Sequence, residues 1–109
     1  MCGITGIWGF NGAQVQQVWI EHFNTSLSHR GPDASRVLSP ASNVYLGHTR
    51  LKILDPTDQA GQPMSYGGGR YHMVYNGEIY NFLELRKDLK KAGYQFSTDS
   101  DTEVVLASY

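Results

Sequence analysis

The chain of 109 residues is long enough for one globular unit and too short for two full domains. Its nine lysine and arginine residues nearly balance ten aspartate and glutamate residues, and the net charge of -1 argues against nucleic acid or an anionic membrane as a partner. It has neither an apolar run near the roughly 20 residues that span a bilayer nor a signal-peptide pattern, so we expect a cytoplasmic protein.

The opening residues predict a strand, a turn and a helix. Residues 2–10 alternate small or polar side chains with larger apolar ones, and Asn11 and Gly12 then give a strong turn signal. Between residues 13 and 28, apolar residues recur at spacings of three and four, as on one face of a helix. The residues of this face are Val15, Val18, Trp19, Phe23 and Leu27.

The middle of the chain predicts hairpins. Residues 37–38 and 43–53 have the composition of short strands, and a Ser-Pro-Ala-Ser turn separates them. Three glycines at 67–69 precede a run of strand formers at 70–75. The glycine run lacks the Gly-Lys-Ser or Gly-Lys-Thr ending of a phosphate-binding loop, so we interpret it as the tip of a hairpin.

Two helices are predicted in the last third of the chain. Asn81 with Glu84 resembles a capping box that opens a helix, and Gly93 closes that helix. Ser100 with Glu103 resembles a second capping box. The helix that follows it is still apolar at the end of the sequence.

These signals together predict an α+β fold. Strands and helices are mixed, and the connections look like hairpins rather than parallel crossover units, which favours a layered arrangement. Because the last predicted helix ends while still apolar, we expect residues 1–109 to be the N-terminal part of one domain that is incomplete at its C-terminal end.

Cys2 is the most informative residue for chemistry. Removal of the initiator Met1 would place a thiol and a free α-amine on one residue, so that a nucleophile and its general base coincide. A cysteine in an opening strand is more often a small buried apolar residue, so other segments must support a catalytic role. As the single cysteine it cannot form an internal disulfide, and the four histidines lack metal-binding spacing, so no metal site is predicted.

Five motifs, in order along the whole chain, resemble the glutaminase domain of glutamine-dependent asparagine synthetases. They are Met1-Cys-Gly-Ile-Thr-Gly-Ile, His29-Arg-Gly-Pro-Asp33, His48-Thr-Arg-Leu-Lys-Ile-Leu-Asp55, Tyr75-Asn-Gly-Glu-Ile-Tyr-Asn81 and Ser100-Asp-Thr-Glu103. The resemblance implies the N-terminal-nucleophile hydrolase fold of the class II glutamine amidotransferases, a four-layer αββα sandwich. It also implies that glutamine is split into glutamate and ammonia.

The resemblance also implies catalytic roles. Cys2 would attack the side-chain amide of glutamine and form a thioester, which water then hydrolyses. Asn76 and Gly77 match the oxyanion hole, in which the loss of one donor costs on the order of 3 kcal/mol. The alternative for this Asn-Gly pair is a hairpin turn. Residues 29–33 match a loop that shapes the site entrance, and a plain Gly-Pro turn is the alternative there.

Two charged residues match substrate-binding positions of the family. Arg50 matches the residue that holds the α-carboxylate of glutamine, for which a planar guanidinium is well suited. Asp101 matches the residue that pairs with the α-ammonium group. Without the family, Arg50 is a surface strand residue and Asp101 is an acidic residue favoured by a helix dipole. The predicted substrate site is completed by Leu51, Ile53, Asn76 and Glu78.

The implied partners are glutamine and a synthetase domain, in the same chain or in another, that receives the ammonia. A homodimer is a further option. No cofactor is expected in this segment, because ATP and Mg belong to the synthetase domain, and asparagine synthesis is the favoured reaction. Two alternatives stay open: the glutaminase part of another class II amidotransferase, and a non-catalytic truncated remnant that acts only by pairing with another chain.

Overall fold

The computed structural model describes residues 1–52 and 57–109, and the elements below lie within them. The strands are β1 (Gly3–Trp8), β2 (Ala34–Ala41), β3 (Val44–Arg50), β4 (Met64–Tyr66) and β5 (Tyr71–Met73). The α-helices are α1 (Gln17–Ser26), α2 (Phe82–Lys91) and α3 (Asp101–Ser108). A short 3-10 helix, Asp58–Ala60, precedes β4.

Both sheets are antiparallel. The strand order of the first sheet is β1-β3-β2, and β4 and β5 form a separate two-stranded hairpin. α1 packs on the three-stranded sheet, whereas α3 packs on the hairpin and on α2. The predicted α+β arrangement is therefore confirmed. In the described residues no helix has the length and hydropathy needed to cross a membrane.

The two predicted turns with glycine adopt backbone conformations that favour glycine. Asn11 and Gly12 have φ values of 53° and 76°, and they follow β1 as predicted. The three glycines at 67–69 all have positive φ and connect β4 to β5. Such left-handed conformations cost a glycine little, because it has no Cβ. The prediction of a hairpin tip at 67–69 is thus confirmed.

The strands of the first sheet differ from their predicted limits for reasons of pairing. β2 continues through Pro40, because β2 is an edge strand and a bulge interrupts its pairing between Leu38 and Ala41. β3 ends at Arg50, and Leu51 and Lys52, which were predicted to continue it, lie outside the strand because the partner residues on β1 and β2 run out at that level. The predicted hairpin between these two strands is confirmed.

The spacing of apolar residues in α1 predicts one buried face, but a different face of the helix packs on the sheet. The buried residues of α1 are Ile20 and Asn24, whereas Trp19 and Phe23 are 46% and 48% exposed. The helix is also shorter than the predicted 13–28, since Gln16 before it has an extended backbone.

Asn24 is buried on α1 because its amide is fully used. Its Oδ1 accepts a hydrogen bond from the Thr5 hydroxyl at 2.6 Å, and its Nδ2 donates to the carbonyl of Arg36 at 3.0 Å. Gly47 on β3 lies beneath, and a Cβ there would collide with the side chains of Thr5 and Asn24. A close helix–sheet approach and a satisfied polar network therefore override the apolar stripe.

The predicted capping box of α2 is wrong. Asn81 is the N-cap residue, but its side chain makes no capping hydrogen bond. The end of α2 is as predicted, since Gly93 has a φ of 97° and its N–H bonds back to the carbonyl of Lys90.

Only half of the capping box of α3 is present. The Ser100 hydroxyl accepts a hydrogen bond from the Thr102 N–H at 3.1 Å, as predicted. The carboxylate of Glu103, in contrast, accepts from the backbone N–H groups of Ser97 and Thr98, at 2.9 and 2.8 Å. Glu103 therefore stabilises the turn before α3, and this turn carries Asp101 into the core. That the domain is incomplete at its C-terminal end stays a prediction.

Candidate active site

A cavity of about 420 Å³ lies between the first sheet, the segment after β5 and the start of α3. This volume is typical of small-molecule sites. Ile53 of the predicted site lies outside the described residues. All the other predicted site residues line the cavity: Cys2, Arg50, Leu51, Asn76, Gly77, Glu78 and Asp101. Residues that are far apart in the sequence, such as Cys2 and Asp101, thus line the same cavity. The predicted site requires them to be close together.

The pairing of β1 with β3 places the Cys2 thiol. Gly3 pairs with Thr49, so Cys2 extends β1 alongside Arg50 and the residue after it. The Sγ atom accepts a hydrogen bond from the Leu51 N–H at 3.3 Å and donates to the Leu51 carbonyl at 3.7 Å. The Leu51 N–H is therefore directed at the sulfur, the atom on which a nucleophilic thiol would carry its negative charge.

The loop at residues 29–33 braces this end of the sheet. Arg30 Nε donates to the carbonyl of Cys2 at 3.4 Å, and the Asp33 carboxylate accepts from the Lys52 N–H at 2.9 Å. Gly31 lies so close to the backbone of β3 that a Cβ would collide with Thr49. No residue of this loop is among the described residues that line the cavity. The loop therefore supports the backbone around Cys2 without lining the cavity itself.

Asn76 and Gly77 do not form a hairpin turn, so that alternative is wrong. They connect a strand to a helix, and Gly77 lacks the positive φ that a two-residue Asn-Gly hairpin needs. Gly77 instead leaves room for a neighbour, because a Cβ there would lie 2.6 Å from the Tyr75 hydroxyl and the Tyr75 side chain would have to shift. The exposed Asn76 side chain makes no hydrogen bond to any described residue, which leaves its amide available to a ligand.

A buried cation and a buried anion belong to the same cavity. Arg50 is 8% exposed, and its Nη1 donates to the carbonyl of Thr57 at 2.6 Å. Asp101 is 5% exposed, and its Oδ2 accepts from the Ile79 N–H at 3.0 Å. The second carboxylate oxygen of Asp101 has no partner in the described part of the chain. Charged side chains are rarely this buried, and buried charged groups cluster at functional sites. Here two of opposite sign line the same cavity.

Through its hydrogen bond from the Ile79 N–H, Asp101 also holds the segment that carries Asn76 and Gly77.

The Tyr75 phenol lies near these charges. Burial raises the pKa of this phenol, and the negative charges of Asp101 and Glu78 raise it further. The phenol is consequently neutral at physiological pH and remains a hydrogen-bond donor.

Several residues that line the cavity were not among the predicted site residues. They include His48, Gln62, Tyr75, Ser100 and Thr102. His48 has a signal that the sequence carries, because residues two apart on a strand face the same side and Arg50 was already assigned. Gln62 has no such signal, since it lies in a polar stretch outside any regular element.

His48 is the most unusual of these residues. Its side chain is almost fully buried, and neither ring nitrogen has a hydrogen-bond partner among the described residues. The pKa of His48 is lowered from 6.5 to about 4, and burial is the largest cause. The Tyr75 backbone partly offsets this without completing a hydrogen bond, and the Arg50 charge lowers the pKa further. The imidazole is therefore neutral at pH 7.

This neutral histidine predicts a loss of stability in mild acid. Above pH 6.5 neither the folded nor the unfolded state protonates His48, and its effect on stability is constant. Between pH 6.5 and about 4, His48 is protonated in the unfolded chain but not in the folded chain. The free energy of unfolding therefore falls as the pH is lowered through this range. The upper limit of this loss is about 3 kcal/mol, which solvent in the open cavity reduces.

Thermal unfolding of the wild type and of His48→Phe between pH 7.5 and 4 would measure this effect. The variant should lose part of the acid sensitivity, while the same change at the exposed His22 controls for the removal of one histidine. Identical pH profiles for the wild type and His48→Phe would contradict the assignment.

The cavity thus brings together the thiol of Cys2, the side-chain amide of Asn76 and two buried charges of opposite sign, on Arg50 and Asp101. The described residues contain no group of three or more His, Cys, Asp or Glu that could hold a metal ion. The chain belongs to the glutamine amidotransferase domain family, whose model matches residues 1–109. Membership of this family of enzymes, predicted from the five motifs, is confirmed.

Its relatives are glutamine-hydrolysing asparagine synthetases. The chain is 44% identical to asparagine synthetase [glutamine-hydrolyzing] 1 and 45% identical to asparagine synthetase [glutamine-hydrolyzing] 3, both of Bacillus subtilis. It is 40% identical to the asparagine synthetase [glutamine-hydrolyzing] of Brassica oleracea. Each match covers 100% of this chain and 17%, 18% and 18% of the respective relative. The chain thus spans about a fifth of their length.

Proposed function

We propose that this chain hydrolyses glutamine to glutamate and ammonia through a thioester on Cys2. The observation that carries the proposal is that Cys2, Arg50, Asp101 and the Asn76-Gly77 pair line the same cavity. A charge of each sign suits a free amino acid, with the guanidinium at the α-carboxylate and Asp101 at the α-ammonium group. The cavity also holds a nucleophile for the side-chain amide.

The proposed reaction has two halves. The α-amine of Cys2 takes the thiol proton, Sγ attacks the amide carbon, and the developing oxyanion is held by the Asn76 amide and the Gly77 N–H. The amine then returns its proton to the departing nitrogen, and ammonia leaves. In the second half, water adds to the thioester with the amine as base, which releases glutamate and restores the thiol.

The wider context is part of the same proposal. We infer that the ammonia passes to an ATP- and Mg-dependent synthetase domain in the same chain or another, with asparagine synthesis the favoured reaction, because the relatives bear that name and are more than five times as long as this chain. We propose the four-layer αββα sandwich for the complete domain and the cytoplasm as its location. A homodimer stays a prediction.

The direct test is a glutaminase assay on the full-length protein, with intact-mass analysis of the N-terminus. Met1 lines the cavity beside Cys2, and as long as it is attached the Cys2 nitrogen is an amide rather than a base. We expect glutamate and ammonia in equal amounts from the processed protein and no turnover from protein that retains Met1. Hydrolysis at the processed rate by the Met1 form would exclude the N-terminal nucleophile.

A further inference from the structure

Gln62 has a position that the proposed reaction does not yet use. It lies between the 3-10 helix and β4, its side chain is 8% exposed, and it lines the cavity. A buried side-chain amide costs free energy unless its donors and acceptor are satisfied. Its partners therefore indicate what it does.

The two ends of the Gln62 amide bind two different parts of the site. Oε1 accepts a hydrogen bond from the Tyr75 N–H at 2.5 Å, and Nε2 donates to the Thr102 hydroxyl at 3.3 Å. Because a backbone N–H only donates, the amide oxygen must face Tyr75, and this defines the orientation of the whole group. Tyr75 directly precedes Asn76, and Thr102 directly follows Asp101.

The segment at 74–79, whose Tyr75 N–H donates this hydrogen bond, has few other backbone hydrogen bonds. Residues 74–79 lie outside regular secondary structure, so no strand partner holds their backbone. At the far end, the Ile79 N–H bonds to Asp101, and at the near end the Tyr75 N–H bonds to Gln62. Both bonds lead to the first turn of α3 or to a residue bound to it. The segment is therefore fastened to α3 at both ends.

We infer that Gln62 is a positioning residue that aligns Asn76 and Gly77 with Cys2 by tying their segment to α3. The inference rests on the proposed function, in which these two residues hold the oxyanion. An oxyanion hole contributes only when its donors are held at the place where charge develops, and a misplacement of about 1 Å costs on the order of 100-fold in rate. Gln62 acts on the transition state more than on bound glutamine.

The test uses Gln62→Met in the full-length protein, because methionine keeps the length of the side chain and removes both hydrogen bonds. We expect kcat for glutamine hydrolysis to fall about 10- to 100-fold with KM changed less than about threefold. Thr102→Val should give a smaller loss, since the bond to Tyr75 remains, and the double variant should be no worse than Gln62→Met alone. Gln17→Met, the same change at an exposed residue of α1, should keep wild-type kinetics.

Two further measurements separate positioning from general damage. The rate at which iodoacetamide alkylates Cys2 needs no oxyanion hole and should stay within about twofold of wild type in Gln62→Met. Hydrogen exchange of the two bonded amides of the segment, Tyr75 and Ile79, should become at least about tenfold faster, while exchange in β1 and β3 is unchanged.

Each result decides a separate question. Unchanged exchange at Tyr75 and Ile79 would overturn the role of Gln62 whether or not the protein hydrolyses glutamine, and so would an unchanged kcat. A fall in alkylation that parallels kcat would also overturn it. If Gln62→Met does not fold, the Thr102→Val kinetics and exchange decide by the same criteria. Absence of glutaminase activity in the processed wild type would instead reject the proposed function.

Discussion

Replacing Cys2 by serine is expected to lower kcat for glutamine hydrolysis by about 1,000-fold or more while glutamine binding is retained. A hydroxyl ionises far less readily than a thiol, so the Leu51 N–H, which lies 3.3 Å from sulfur, would no longer have an anion to stabilise. The charged groups that would bind the substrate, Arg50 and Asp101, are unchanged. Binding and chemistry should therefore separate.

Steady-state kinetics and calorimetric titration with glutamine would measure the two effects. Cys2→Ala serves as the control, because it removes any nucleophile and should bind glutamine as the serine variant does. Turnover by Cys2→Ala at the wild-type rate would show that another group performs the chemistry. A dissociation constant changed by more than about tenfold in both variants would show that the thiol contributes to binding instead.

Removing the charge of Asp101 is expected to raise KM for glutamine about 10- to 100-fold, the value of one charge-assisted hydrogen bond. Asp101→Asn is the informative variant, because its amide oxygen still accepts the Ile79 N–H and so preserves the segment at 76–79. Glutaramate, which is glutamine without its amino group, should lose little with this variant. A selective loss with glutamine alone would identify the carboxylate as the group that binds the α-ammonium.

Asp101→Ala is the matched comparison for this prediction. It removes the charge and also the hydrogen bond to Ile79, so hydrolysis of both substrates should fall, with glutamine affected more. Equal losses of kcat/KM for glutamine and glutaramate in Asp101→Asn would contradict a role in substrate recognition. Asp101 would then act only through the backbone that it holds.

Local chemistry was enough to predict several elements of the fold. The Asn-Gly turn after β1, the glycine tip of the β4–β5 hairpin and the glycine end of α2 all rest on backbone conformations that few other residues adopt. The limits of β2 and β3 were missed, because they depend on how long a partner strand continues. The side of α1 that meets the sheet was missed as well, because Gly47 and a polar network at Asn24 select it.

The candidate site divides in the same way. Ordered motifs along the chain predicted its principal members, and Cys2, Arg50, Asn76 and Asp101 line one cavity. Gln62 was not predicted to belong to it, because its role comes from burial and from partners far away in sequence. His48 was not predicted either, although its position two residues before Arg50 on β3 is a signal that the sequence carries. The hydrogen bond from Gln62 to Thr102 spans 40 positions.

Residue identity and short spacing were enough to predict the family, the candidate nucleophile and the local turns. Which polar groups are buried, and which partners satisfy them, depends on contacts between distant parts of the folded chain. Glu103 illustrates the difference: its spacing from Ser100 indicates a capping box, yet its carboxylate binds the N–H groups of Ser97 and Thr98. A buried N–H without a hydrogen-bond partner costs free energy. The buried Glu103 carboxylate therefore accepts hydrogen bonds from these two N–H groups and not from the N-cap residue of α3.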